Sequence, residues 1–425
     1  MARVAIIGAG AMGLAAAYHA LKAGHRVTVF EADRVPGGMA AHLDFDGLSI
    51  ERFYHFVCKA DRATFELMEE LGIAGKMKWR PTSMGYFIDG RHYAWGDPIS
   101  LLRFPRLGMI SKLRYGLQMF LSTKRRDWSK LENVSARDWL VGGSGAQAYD
   151  VLWRRLLQLK FHEYADNISA VWIGTRIKRL GNSRRSVFQE ELGYIEGGSE
   201  ALIEALVAAI DKWGGEVRLG APVDEIVTEA GRVAGVRVGD AFSPFDAVIS
   251  TMPTPHVARL VPGLPAHAKA QYDAIRNIGV VCVVLKLAKP VTKHFWVNIS
   301  DPAIDIPGVV EFSNLRPMPA TVVYIPYYMP QTNPKFSRTS EAFVEEAFGY
   351  IRRLNPSIGS GDLLASRVGR LRYAQPVCEP GFQAKIPPVQ TPIAGLQIAD
   401  TCFYYPEDRG ISESVRFGKL MAQAI

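Results

Sequence analysis

The 425-residue chain has little of what marks disulfide-bonded, metal-binding or membrane-spanning proteins. Its four cysteines are far apart and form no CxxC pair, so we expect reduced thiols rather than a disulfide framework. Its nine histidines show no HxH or HxxxH spacing, and we predict no metal. No run of about 18 apolar residues occurs, and only three residues precede the first apolar run. We therefore expect neither a membrane span nor a signal peptide, and a cytoplasmic location.

The chain also has fewer acidic than basic residues, and its net charge is +8. This excess of positive charge favours an anionic partner. No zinc-finger or RNP-like spacing is present, so we do not expect nucleic acid to be that partner. No acidic residue lies between Asp97 and Asp127, where basic residues alternate with apolar ones. Segment 103–126 has two interpretations: a basic amphipathic surface that contacts a membrane or an anionic ligand, or the solvated face of a helix in a cap domain.

What the chain does contain is a β-α-β pattern at its start. The stretch "RVAIIGAG" is a β-branched strand that ends in glycines, a helical stretch follows up to Gly24, and "RVTVFE" is a second strand. Gly8 suits a tight turn, Gly10 lets the backbone approach a pyrophosphate, and Gly13 lets the helix pack closely on the strand. Glu31, 18 residues after Gly13, is placed to accept both ribose hydroxyls. The pattern predicts a dinucleotide site.

A second glycine pair, Gly37-Gly38, comes six residues after Glu31. A nicotinamide-binding unit needs nothing further there, whereas FAD continues along the protein through its pyrophosphate and ribityl chain. The pair therefore favours FAD, the alternative being a plain turn after the strand.

The C-terminal segment also predicts a strand, an acidic residue and a glycine that precedes a helix. "GLQIAD" predicts a strand with Asp400 at its carboxyl end, and "SESVRFGKLMAQAI" predicts a helix that follows Gly410. Asp400 could bond the ribityl hydroxyls. The amides of Ile411 and Ser412 could stabilise negative charge on a reduced flavin.

The predicted fold is α/β (α+β): a Rossmann-like FAD-binding domain of the two-dinucleotide-binding-domain flavoprotein type with an interleaved substrate domain. Strand-rich stretches between residues 278 and 329 predict an antiparallel sheet that carries Trp296, Tyr324, Tyr327 and Tyr328. The expected boundaries are 1–90, 192–262 and 385–425 for a discontinuous FAD-binding domain, 91–191 for a helical cap, and 263–384 for a substrate-binding domain.

Three stretches together resemble the FAD-dependent amine oxidase, protoporphyrinogen oxidase and carotenoid desaturase superfamily, with UDP-galactopyranose mutase and the GDP-dissociation-inhibitor proteins as relatives. They are "VAIIGAGAMGLAAAYHALKAGHRVTVFEADRVPGG", "YIEGGSEALIEALVAAIDKWGGEVRLGAPVDEI" and "LQIADTCFYYPEDRGISESVRFGKLMA". The resemblance implies that FAD contacts Gly8, Gly10, Ala11, Met12, Gly13, Glu31, Ala32, Gly37, Gly38, Met39, Val223, Asp400, Arg409, Gly410 and Ile411. The family often has arginine where this chain has Met39, and Arg34 or Arg409 is the candidate substitute.

The leading hypothesis is an FAD-dependent dehydrogenase, oxidase or desaturase that moves a hydride from a C–H bond of an apolar, isoprenoid or lipid-linked substrate to flavin N5. One alternative is a non-redox mutase acting on a nucleotide sugar, with Tyr324, Tyr327 and Tyr328 holding the diphosphate. Another is an escort protein that binds a prenylated partner without catalysis. The electron acceptor and the oligomeric state stay open. The catalytic candidates by residue type are His55, Arg372, Tyr373 and Tyr405, with Tyr54, Lys160 and Tyr327 as further ones.

Overall fold

The computed structural model describes the whole chain, Met1–Ile425. Thirteen α-helices alternate with twenty strands. The helices are α1 Ala11–Lys22, α2 Arg62–Glu70, α3 Pro98–Arg103, α4 Met109–Lys124, α5 Ala136–Ser144, α6 Ala146–Tyr149, α7 Arg155–Phe161, α8 Ala170–Asn182, α9 Glu200–Lys212, α10 Val257–Leu260, α11 Ala266–Asp273, α12 Ser340–Leu354 and α13 Ile411–Gln423.

The strands form five sheets. They are β1 Arg3–Ile7, β2 Arg26–Phe30, β3 His42–Phe45, β4 Leu48–Glu51, β5 Met77–Thr82, β6 Met84–Ile88, β7 Arg91–Trp95, β8 Arg184–Ser186, β9 Gln189–Ile195, β10 Glu216–Arg218, β11 Glu225–Glu229, β12 Arg232–Val238, β13 Ala241–Pro244, β14 Ala247–Ser250, β15 Asn277–Leu287, β16 Trp296–Ile299, β17 Gly308–Glu311, β18 Thr321–Met329, β19 Leu363–Pro376 and β20 Leu396–Ile398.

A five-stranded parallel sheet forms the first core, in the order β10-β2-β1-β14-β20. β1 and β14 are apolar and almost wholly buried, as expected for central strands covered on both faces. α13 lies directly on α1, and Gly418 permits this approach because a Cβ there would come within 2.4 Å of the Met12 carbonyl oxygen. The carboxyl ends of β1, β14 and β20, which come from distant parts of the sequence, therefore meet at one edge, where doubly wound sheets bind ligands.

A mixed seven-stranded sheet, in the order β19-β15-β18-β17-β16-β6-β7, forms the second half of the molecule. All its pairings are antiparallel except that of β6 with β16. The β6-β7 hairpin turns at Asp89-Gly90, where both residues have a positive φ. The domain boundary predicted at residue 90 is wrong, because it cuts this hairpin, and the pairing of β6 with β16 places residues 84–95 in the second sheet.

Helices α3 to α8 lie between residues 98 and 182, within the segment predicted as a helical cap. Two of them have a side-chain cap at their start: the Ser135 hydroxyl accepts a hydrogen bond from the Asp138 amide at α5, and the Asp97 carboxylate accepts hydrogen bonds from the Ile99 and Ser100 amides at α3. The longest helix of the chain, α4, has 16 residues, and no helix has the combined length and apolar content that a bilayer crossing requires.

Candidate active site

One large cavity, of about 1360 Å³, runs through the molecule. It begins at the glycine turns of the parallel sheet, passes the start of α13, and ends between the seven-stranded sheet and helices α4, α7 and α8. Sites for a single small ligand usually measure about 300–1,000 Å³. The cavity therefore has room for a dinucleotide and a second molecule.

The glycines at the carboxyl edge of the parallel sheet have different structural roles. Gly8 has a φ of +100°, which favours glycine, and Gly38 faces the Cα of Gly10, which a Cβ on Gly38 would approach to 3.3 Å. A Cβ on Gly13 would lie 1.9 Å from the Gly8 carbonyl oxygen, so that glycine is needed for packing. A Cβ on Gly10 would meet no atom within 4 Å and would enter the cavity. Gly10 and Gly38 thus form a cradle for a ligand backbone.

Glu31 also lies on the wall at this end, at the close of β2. Its carboxylate accepts the Ala9 amide at 2.7 Å and the Asp33 amide at 2.8 Å. Because a carboxylate has about four acceptor positions, two stay available for ribose hydroxyls after the side chain has been fixed. This fits the role predicted for Glu31.

Two helix N-termini point their free amides toward the cavity. α1 begins after Gly10 and α13 after Gly410, and neither has a side-chain cap. The first amides of a helix need acceptors and carry partial positive charge. Cavity-lining residues at these two starts include Met12 and Ile411, so both ends can receive anionic parts of one extended ligand.

Asp400 lies between these two helix ends and is buried. Its carboxylate accepts the amides of Thr254 at 2.7 Å and Cys402 at 2.8 Å. Burial raises the pKa of Asp400 despite these donors. The residue also lines the cavity, where an acceptor for a ribityl hydroxyl is predicted.

Another arginine, Arg52, lies close to the glycine pair that Met39 follows. Arg52 follows β4 and lines the cavity, its amide donates to the Ala41 carbonyl beside the Gly37-Gly38 turn, and its guanidinium contacts the Asp33 carboxylate at 2.7 Å. Of the two sequence candidates, Arg34 is exposed and does not line the cavity, whereas Arg409 lines it at the start of α13. Sequence reasoning missed Arg52, since nothing local links it to the glycine pair.

We expect Arg52→Met to weaken FAD binding about 10-fold to 100-fold, as the loss of a charge-assisted hydrogen bond of about 1.5–3 kcal/mol implies. The variant also leaves the Asp33 carboxylate unpaired near the pyrophosphate. The measurement is the Kd from quenching of flavin fluorescence during titration of apoprotein. Arg34→Met, which removes an equal charge outside the cavity, should bind FAD like the wild type. Equal losses in both variants would contradict the assignment.

The structure brings most of the predicted FAD contacts to the cavity wall. They are Gly8, Gly10, Ala11, Met12, Glu31, Gly37, Gly38, Met39, Asp400, Arg409, Gly410 and Ile411. Gly13, Ala32 and Val223 do not line it. Gly13 acts through packing, Ala32 is exposed, and Val223 lies in a segment whose Ala221 amide donates to the Glu31 carbonyl behind the wall.

A cationic cluster lies just before the start of α13. Asp408 is ion-paired with Arg176 of α8, and the Arg409 guanidinium donates to the Tyr328 hydroxyl at 3.2 Å. The ammonium of Lys160, on α7, lies 5.1 Å from the centres of the Trp172 and Tyr328 rings. No hydrogen bond or ion pair of Lys160 accompanies these contacts. Burial lowers its pKa well below the ordinary value, and the charge of Arg176 adds to this.

Three of the four leading catalytic candidates line the cavity: His55, Arg372 and Tyr373. The Nδ1 atom of His55 is buried without a hydrogen-bond partner, and burial lowers the pKa of this histidine to about 4. His55 is therefore neutral at pH 7, and the low pKa makes it a weak base. Tyr373 packs its ring edge-on against His256 at 5.1 Å.

The fourth candidate, Tyr405, is not on the wall. Its buried hydroxyl is hydrogen-bonded to Ser169 and to the Glu132 carboxylate, both at 2.9 Å. Tyr405 thus ties the C-terminal segment to the helical cap, and the structure gives no support for a direct catalytic role. Tyr405 was a candidate by residue type, and residue type does not show whether a side chain faces the cavity.

The three tyrosines proposed to hold a diphosphate do not converge, and this expectation is wrong. Successive side chains of a strand point to opposite faces. On β18, Tyr328 lines the cavity, while Tyr327 packs against Phe343 of α12. Tyr324 donates to the Glu51 carbonyl at 2.7 Å within a separate core.

The fold and the cavity define a dinucleotide-binding flavoprotein whose cavity has room for a second molecule beside the cofactor. The chain belongs to the flavin containing amine oxidoreductase family, which it matches over residues 13–399. It is an FAD-dependent oxidoreductase, as the sequence predicts.

Individual proteins extend this comparison. The 15-cis-phytoene desaturase of Synechococcus elongatus is 24% identical over all of this chain and 95% of its own length. The protoporphyrinogen oxidase 2 of Arabidopsis thaliana is 32% identical over 32% of this chain and 27% of its own length. The crystal structure of a reduced UDP-galactopyranose mutase is 15% identical and covers 100% of this chain and 93% of its own, with a TM-score of 0.77. This last likeness concerns the fold alone.

Proposed function

We propose that the enzyme dehydrogenates an extended, mainly apolar substrate of the isoprenoid or lipid-linked type. The observation that carries the proposal is the second half of the cavity, which continues beyond the cofactor end between α4, α7, α8 and the seven-stranded sheet. Aromatic and aliphatic side chains dominate that part of the wall, among them Tyr54, Trp153, Leu156 and Trp296. The 15-cis-phytoene desaturase of Synechococcus elongatus, which this chain matches over 95% of that protein's length, supports the same substrate class.

The charges at the start of α13 argue against an amine substrate. Lys160, Arg176 and Arg409 face one acid there, Asp408. Like charges placed together cost free energy, so a protonated amine would be repelled from this region. An uncharged hydrocarbon with little polar surface meets no such penalty.

When bound, FAD supplies a two-electron acceptor that takes a hydride from a C–H bond. The chain must hold the substrate, exclude water and accept the proton that a desaturation releases. The rings of Phe161, Trp172 and Tyr328 lie within 5.5 Å of the Lys160 ammonium and give this part of the wall an apolar surface. We place the proton acceptor at His55, whose buried Nδ1 has no hydrogen-bond partner. Its pKa of about 4 keeps it neutral at pH 7 and makes it a weak base.

An anaerobic visible spectrum tests the proposal. The holoenzyme is mixed with 15-cis-phytoene in detergent micelles, with putrescine, and with UDP-galactopyranose. We expect the oxidised flavin absorbance near 450 nm to bleach with phytoene alone. Bleaching by putrescine alone would contradict the proposed class. Turnover of the nucleotide sugar after chemical reduction, without bleaching by any probe, would favour the mutase chemistry. A colourless purified protein would favour the escort role.

A further inference from the structure

Helices α3 and α4 expose an unusual amount of apolar surface. Eight of the eighteen large apolar side chains that the whole chain exposes lie on these two helices. They are Ile99, Leu102, Met109, Ile110, Leu113, Leu117, Phe120 and Leu121. Concentrated patches of this kind mark interaction sites rather than ordinary surface.

The amphipathic pattern of α4 is inverted. Ile110, Leu113 and Leu117 recur at helical spacing and are 75%, 62% and 58% exposed. The opposite, buried face carries polar residues: the Lys112 ammonium donates to the Leu102 carbonyl at 2.7 Å, and the Gln118 amide donates to the Trp139 carbonyl at 2.9 Å. The leucines are therefore not displaced core residues, since the protein side of the helix is already satisfied by hydrogen bonds.

We propose that the α3-α4 surface, defined by these eight apolar residues, lies flat on an anionic lipid bilayer. Arg103, Lys124 and Arg126 are exposed around it, and of the cations in segment 98–126 only Arg106 is paired with an acid, Asp89. An apolar stripe flanked by free cations and 16 residues long is what an interfacial helix presents to negatively charged headgroups. The surface is too short to cross the bilayer, so it binds in the plane of the interface.

A second copy of the chain fits this surface less well. A two-fold dimer through α4 would place each basic side chain opposite the same set on the partner, because such an interface is self-complementary. The like charges would then repel at the rim, and no acidic residue of segment 98–126 lies there to compensate. The charge pattern therefore favours lipid over a dimer.

The surface also borders an opening of the cavity. Phe120 on α4 is 59% exposed and Val187 beyond β8 is 66% exposed, and both line the cavity wall. Residues that line the cavity and are also exposed to solvent lie where the cavity opens to the surface. The docked enzyme would therefore open its cavity toward the bilayer, so that a substrate dissolved in lipid enters without crossing water. This route rests on the proposed apolar substrate, whereas the docking does not.

Flotation of the holoenzyme with lipid vesicles tests the docking without any substrate. We expect binding to vesicles of 30% phosphatidylglycerol in phosphatidylcholine, at least 10-fold weaker binding to pure phosphatidylcholine, and weakening with added salt. The double variant Leu113→Glu, Leu117→Glu should lose at least 10-fold in binding, while Leu364→Glu, Leu420→Glu, which alters exposed leucines elsewhere, should bind like the wild type. Unchanged flavin spectra verify folding.

Two results would overturn the docking: no vesicle binding by the wild type, or a wild-type dimer in sedimentation analysis that the α4 double variant alone converts to monomer.

A fluorescent label tests whether the cavity opens toward the bilayer. All four native cysteines are buried, so Val187→Cys can be labelled selectively. Brominated lipids should quench a label at 187 and not one at Leu364→Cys. Quenching at neither site, with vesicle binding intact, would overturn the route and leave the proposed reaction untouched.

Discussion

Gly10→Leu is expected to give a folded protein that purifies without colour. The backbone of Gly10 has an ordinary φ of −71°, and a Cβ there meets no atom within 4 Å. The Cβ therefore causes no internal clash, and the rest of the leucine side chain would extend into the cradle that Gly10 and Gly38 form for the cofactor. We expect FAD affinity to fall at least 100-fold, roughly 2.8 kcal/mol.

The measurement compares bound flavin per chain and the Tm of the apoproteins. Apo forms are required because bound FAD would itself stabilise the wild type. Gly75→Leu is the matched control: its Cβ is equally unobstructed, but the residue is exposed and outside the cavity. Gly13→Ala should instead lower the Tm of the apoprotein, since its Cβ would collide with the Gly8 carbonyl oxygen. Full flavin occupancy in Gly10→Leu would show that the cofactor does not occupy the cradle.

The glycine turns show what sequence can establish in this protein. Gly8, Gly10 and Gly13 have distinct roles because each contact lies within one β-α unit, and the local spacing determines it. The fold class and the FAD requirement followed from such units at both ends of the chain. The strands β1, β2 and β20 were also predicted, since their apolar runs and flanking glycines are local signals.

The remainder depended on contacts between distant residues. The pairing of β6 with β16 joins residues about 210 positions apart, and no local sequence pattern predicts it. Arg52 reaches the glycine pair only because β4 ends beside that turn. The inverted face of α4 has the composition of an ordinary basic amphipathic helix, and only the burial of Lys112 and Gln118 shows which side is outward.

Lys160→Met is expected to change stability and cofactor chemistry in opposite directions. The ammonium is buried among aromatic rings with no ion pair of its own, and burial lowers its pKa. Because the folded pKa is below the unfolded one, folding must release a proton or bury a charge at neutral pH, and this cost fades as pH rises toward the unfolded pKa of about 10.4. Methionine removes it, so we expect the apoprotein to gain about 1–3 kcal/mol at pH 7 and less near pH 10.

The same substitution should make the bound flavin a weaker electron acceptor. Lys160 lies in the cationic cluster that precedes α13, where positive charge favours an anionic reduced ring. Sulfite, which adds to flavins that stabilise negative charge, should bind the variant about 10-fold more weakly by absorbance titration, near 1.4 kcal/mol. Lys124→Met, at the exposed outer wall, should change neither quantity. Higher stability with unchanged sulfite affinity would remove Lys160 from the flavin's surroundings and leave His55 as the proton acceptor to examine.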